Sequence, residues 1–125
     1  MPAFKMPTTE PERSQYVNAL TDEILVLYPD RDVPHHLLYT RKSVRMALEA
    51  GADPDDLLRS ARNYRVECER EGYVPKFRIG APRFYGDNIW KRYLTVTVYG
   101  RTREEWARSG QDLEEFDRLA AGIKD

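Results

Sequence analysis

The chain has 125 residues, 41% hydrophobic and 33% charged, which suits one soluble globular domain, excludes a disordered chain and leads to the expectation of one core and not two separate ones. Its net charge of −1 excludes a protein whose whole surface grips nucleic acid, so any such binding has to be local. The single cysteine, Cys68, excludes an internal disulfide; with no bilayer-length apolar run and no signal-peptide core in MPAFKMPTTEPER, the expected location is the cytoplasm.

Residues 1 to 8 hold two prolines and no periodicity, and read as a flexible arm. Thr9 and Glu12 have the spacing of a capping box, from which a first helix starts. Val17, Leu20, Ile24, Leu27 and Tyr28 recur at helical spacing as its buried stripe, and Pro29 with Asp30 ends it. In RDVPHHLLYT, Pro34 and the paired histidines suit a turn, while Leu37, Leu38 and Tyr39 call for burial. A second helix is expected from about Thr40, with Val44, Ala47 and Leu48 inward and Arg41, Lys42 and Arg45 on the other side, stopping at Gly51.

Asp53, Pro54, Asp55 and Asp56 form a strong helix start: a side-chain cap, a first-turn proline and acids facing the positive end of the helix dipole. The third helix runs to about Glu71 and stops at Gly72. Leu57, Ala61, Tyr64 and Cys68 are its apolar row, with Arg59, Arg62 and Arg65 alongside.

Tyr73 to Tyr93, YVPKFRIGAPRFYGDNIWKRY, interleaves six rings and five cations with one acid, a local charge of +4 against −1 overall. Pro82 to Asp87 is expected to turn, and Asn88 to about Leu94 to form a short helix. The following TVTVYG reads as one short strand without an evident partner. Thr102 and Glu105 repeat the capping-box spacing ahead of a last helix with Trp106; Gly110 interrupts it. Leu113, Phe116, Leu119 and Ile123 continue the apolar row among acids.

The sum is a mainly α fold: a small single-domain helical bundle with an irregular aromatic-rich segment laid across it. Residues 9 to 100 form the core module, and residues 101 to 125 an acidic helical tail packed on the same domain.

No catalytic set is evident. Adjacent His35 and His36 diverge by about 100° in a helix and do not share a metal easily. Cys68 sits on an apolar row as a buried thiol, capping accounts for Asp53, Asp55 and Asp56, and Gly80 and Gly86 do not make a phosphate loop. The expectation is a non-enzyme without metal or cofactor. The rings of the central stretch have two open readings: surfaces on which bases stack, or pins that hold the segment onto the helices.

Residues 17 to 94 resemble a module at the C-terminal end of phage replication proteins. The resemblance is carried by VNALTDEILVLY, by TRKSVRMALEAGADPDDLLRSARNY and by YVPKFRIGAPRFYGDNIWKRYL, with Pro82, Phe84, Tyr85, Trp90, Tyr93 and Leu94 in register. It implies a phage or prophage protein in the company of replisome organisers and DnaD-like helicase loaders, contacting DNA, the replicative helicase or its own kind. Such proteins place a winged-helix domain in front, where this chain has residues 1 to 8, so the expectation is a module that keeps partner binding without origin recognition.

Two readings follow. The first is a replication accessory protein that binds single-stranded or forked DNA and a replicative helicase. Arg59, Arg62, Lys76, Arg78, Arg83, Lys91 and Arg92 then take phosphate, and Tyr85 or Trp90 stacks on bases. The second is a module that inhibits a host protein through its C-terminal helix, with Trp106, Leu113 and Phe116 as the contact.

Overall fold

The computed structural model describes residues 4–122, and within them the fold is mainly α. Three helices form its frame: α1 (Glu10–Leu27), α2 (Leu37–Glu49) and α3 (Pro54–Glu71). The Thr9 hydroxyl accepts the Glu12 N–H at the start of α1, and Asp53 accepts the Asp55 N–H at the start of α3. Gly72 ends α3 at φ 71°, the left-handed cap that a residue without Cβ adopts without strain.

The second helix differs from expectation. It begins at Leu37 because His36, in extended backbone, accepts the Tyr39 N–H on Nδ1 at 3.3 Å and serves as the cap. Leu37, Leu38 and Tyr39 are therefore on the exposed first turn and not buried. The N-terminal segment is also tied down from Phe4 onward: the Phe4 and Tyr16 rings stack at 5.2 Å, and the Pro7 carbonyl accepts from Arg13 Nε.

The aromatic stretch lies across this frame. After a 3-10 turn at Pro75–Phe77 comes α4 (Ala81–Gly86), where a turn was expected; Pro82 sits in its first turn, a position in which the missing N–H costs nothing. Asn88, at φ 59°, leads into a second 3-10 segment, Ile89–Leu94. Here α4 packs on α2, and Ile89–Leu94 packs on α3. Phe84 is central, with its ring 5.0–5.6 Å from those of Tyr28, Tyr64, Tyr85 and Tyr93. Val17, Leu20, Ile24, Val44 and Leu57 complete the core, each apolar side chain contributing about 1.5–3 kcal/mol by burial.

The strand-like run finds its partner four residues on. β1 (Thr97–Val98) pairs antiparallel with β2 (Arg101–Thr102) through a two-residue turn, with Tyr99 and Gly100 both at positive φ. Then α5 (Arg103–Arg108), opened by the full Thr102/Glu105 capping box, and α6 (Leu113–Ala120) close a second small core of Val98, Trp106 and Phe116, where the chain length led to the expectation of one. The hairpin thus belongs with the C-terminal helices rather than with the preceding module. Ile123, expected on the last apolar row, lies outside the described residues.

Glu67 ties the two cores together. This buried carboxylate on α3 accepts from the hydroxyls of Tyr93 and Thr97 and from the Gly100 N–H at 2.7 Å.

Candidate nucleic-acid interface

Two connections meet at one end of the helical frame: residues 28–36 between α1 and α2, and residues 73–80 between α3 and α4. Buried tyrosines hold them side by side. The Tyr28 hydroxyl donates to the Ile79 carbonyl at 2.6 Å, and the Ile79 N–H donates to the Tyr64 hydroxyl at 2.8 Å. The Arg78 guanidinium then donates to the Tyr73 and Asp30 carbonyls, at 2.9 and 3.0 Å, lacing one connection to the other.

His35 completes the seam. Its Nδ1 accepts the Ala81 N–H at 3.1 Å while Nε2 faces the Pro29 carbonyl at 3.3 Å, so the proton belongs on Nε2 and the ring is neutral. Burial, with Arg31 nearby, holds its pKa below the usual histidine value.

Between the two connections opens a cleft of about 540 Å³. Arg31, His35 and His36 line one wall, and Lys76, Phe77, Arg78 and Arg83 the other. No carboxylate is among its lining residues. Arg31 Nε is buried there without a hydrogen-bond partner among the described residues, and a Cβ on Gly80 would lie 3.0 Å from the Arg31 guanidinium. The glycine is what lets that arginine pack against the opposite connection.

Other sequence-expected cations are elsewhere. Lys91 and Arg92 line a second cleft with Asp87, Glu105 and Arg108, and Arg92 is bound to Glu105 at 2.9 Å. Arg59 pairs with Asp56 on α3, whereas Arg62 is exposed without a carboxylate partner among the described residues; neither lines the first cleft. The five cations of the aromatic stretch are therefore divided between two clefts and do not make one surface. Glutamates of α3 do not neutralise them: Glu69 takes Arg65, and Glu71 takes Arg70. Arg83 pairs instead with Asp87 at 3.3 Å, with both side chains well exposed. Arg45 is held between Glu10 and Glu49.

The ring assignments require correction. Tyr85 is 1% and Trp90 5% exposed, and Tyr85 donates its hydroxyl to the Leu57 carbonyl. Neither can receive a base without opening the core, so these rings are pins. The exposed Phe and Tyr rings among the described residues are Phe77, 74% exposed beside Lys76, Tyr39, 61% exposed and stacked on His36 at 4.1 Å, and Tyr99 on the hairpin turn, which does not line this cleft. Phe77 was visible only as one ring among six. Its signal was position: it follows Pro75 in a segment too short for any periodicity to bury it.

Trp106 and Phe116 are likewise 6% and 3% exposed, their rings 5.5 Å apart and T-shaped, with Leu113 packed beside them. They form a core and offer no contact surface. Burial pushes the Cys68 thiol up to about 11, which keeps it protonated and unreactive at neutral pH. Among the described residues no three His, Cys, Asp or Glu converge as metal ligands, and no helix is long and apolar enough to cross a membrane.

Comparison with protein-family models, with curated proteins and with solved structures finds no match for the chain.

Proposed function

We propose that the chain is a non-enzymatic DNA-replication accessory protein of phage type, which takes the phosphate backbone of single-stranded or forked DNA into the cleft between residues 31–36 and 76–83. The observation that carries the reading is the lining: Arg31, Lys76, Arg78 and Arg83 face a common space that no carboxylate enters. Of these four cations only Arg83 has a carboxylate partner among the described residues, the exposed Asp87 outside the lining, and such a group of cations attracts phosphates even on a molecule of net charge −1. The lacing by Tyr28, Tyr64, Arg78 and His35 presets the walls, which lowers the ordering cost of binding. The phage setting and a replicative helicase as second partner rest on the resemblance of residues 17 to 94.

Fluorescence anisotropy with labelled single strands tests the DNA half. Binding is expected at low salt and is expected to weaken as salt rises. The double substitution of Lys76 and Arg83 by alanine should reduce it, while Arg59→Ala should leave it unchanged. Absence of binding at low salt would remove the reading.

A protein-binding role has one observation in its favour: Leu38, Tyr39 and Met46 leave an apolar surface on α2. Capture of a purified replicative helicase by the wild type and not by Met46→Glu is the outcome that supports it; equal capture by both, or none, removes it.

A further inference from the structure

We infer that the cleft selects unpaired strands by stacking exposed bases on Phe77 of one wall, with the exposed Tyr39 ring, stacked on His36 of the other wall, as a further platform beside the cleft. The inference rests on the phosphate-binding reading of the same site and specifies its ligand. Phe77 lines a cleft whose walls are cationic, and Tyr39, outside the lining, stacks on His36 of the opposite wall. Single-strand binders combine these two elements, a positive groove for the backbone and rings for the bases. A duplex keeps its base faces inside the stack and offers such rings nothing.

The presentation of Phe77 is built. Its 3-10 turn, Pro75–Phe77, is bracketed by Arg78, whose guanidinium bonds a carbonyl before the turn, on Tyr73, and one on the facing connection, on Asp30. Lys76 Nζ lies 5.1 Å from the Phe77 centroid, so a phosphate on the ammonium would place its own base within reach of the ring. Across the cleft, His36 is fixed as the cap of α2, and the Tyr39 ring, outside the lining, is held nearly parallel to it, at 24°. Each platform therefore has a rigid support in the backbone.

The test uses the full chain with four probes: an oligothymidylate, an oligouridylate, the same deoxyribose-phosphate length without bases, and a duplex. The base-bearing strands are expected to bind on the order of tenfold more tightly than the abasic polymer, and more tightly than the duplex. Phe77→Ala and Phe77→Leu should each bring the base-bearing strands most of the way to the abasic level without altering abasic binding, and Phe77→Trp should keep the preference. Tyr39→Ala should remove part of it. Phe77 and Tyr39 are exposed, so these variants are expected to keep the wild-type circular dichroism. Equal binding of strand and abasic polymer, equal binding of strand and duplex, or full affinity in Phe77→Leu would overturn the stacking inference and leave phosphate binding intact. Failure of every probe to bind would overturn both.

Discussion

A carboxylate buried without a cation is costly unless donors surround it, and Glu67 is surrounded. Its oxygens accept from Tyr93, Thr97 and Gly100, which belong to the second 3-10 segment and the hairpin, so one side chain on α3 positions two later elements. Glu67→Ala leaves two buried donors and the half-buried Gly100 N–H unpaired and should cost about 3 kcal/mol in urea unfolding, whereas Glu67→Gln keeps the acceptor for two of the three and should cost about 1 kcal/mol. Equal losses in the two variants would mean that neither the volume nor the acceptor that glutamine retains supplies the stabilisation. His35 works through its charge state. Its ordinary pKa of 6.5 is lowered in the fold by burial, against smaller opposing effects from the Pro29 carbonyl and Asp30, so the folded state takes up a proton less readily than the unfolded chain. The neutral ring's contribution is therefore complete above pH 6.5 and is lost as pH falls from 6.5 through the lowered value. His35→Asn retains an acceptor for the Ala81 N–H without titrating. Between about pH 8 and pH 5 the wild type should lose more of its denaturation midpoint than this variant does; parallel curves would remove His35 as the cause.

At the scale of elements, the C-terminal hairpin, α5 and α6 have a core of their own and meet the rest chiefly through Glu67, Arg70 and Arg92, whose partners are on the hairpin or on α5. Trp106→Ala removes the largest ring of that core and its bond to the Val98 carbonyl, at an expected cost of about 3–5 kcal/mol. Because α1, α2 and α3 bury their side chains elsewhere, native-state hydrogen exchange should show α5 and α6 losing protection while the three long helices keep theirs. Uniform loss would mean that the molecule opens as one unit. This division also shows which elements sequence patterns could yield. The starts and stops of α1 and α3 were readable because capping residues act locally: Thr9, Asp53 and Gly72 do their work within one turn. α4 was read as a turn because proline and glycine dominate it, yet Pro82 in a first turn starts a helix when α2 offers a surface to pack on, and that surface is a tertiary fact. The same limit applied to the rings. Tyr85 and Phe77 are both aromatic and both within two residues of a cation, and only packing decides that one is a pin and the other a platform.

For the whole molecule, charge placement decides more than total charge. Acids and bases nearly cancel over 125 residues, but they cancel unevenly: Glu10, Glu49, Glu69 and Asp56 occupy cations on the helix flanks, and Glu105 occupies Arg92. The cleft that includes Arg31, Lys76, Arg78 and Arg83 has no carboxylate lining it, so a strand bound there releases counterions in proportion to the phosphates those four meet. For single strands the slope of log affinity against log salt is about −0.7 per phosphate contact, giving about −3 if all four engage. Arg78 already spends donors on two carbonyls, and Arg83 has to leave Asp87, so a slope nearer −2 is what the geometry favours. Lys76→Ala should make the slope shallower by about 0.7, and Asp87→Asn, which frees Arg83 from its partner, should raise affinity without changing the stability of the fold. A slope that Lys76→Ala leaves untouched would place the strand on some other surface, whatever the affinity.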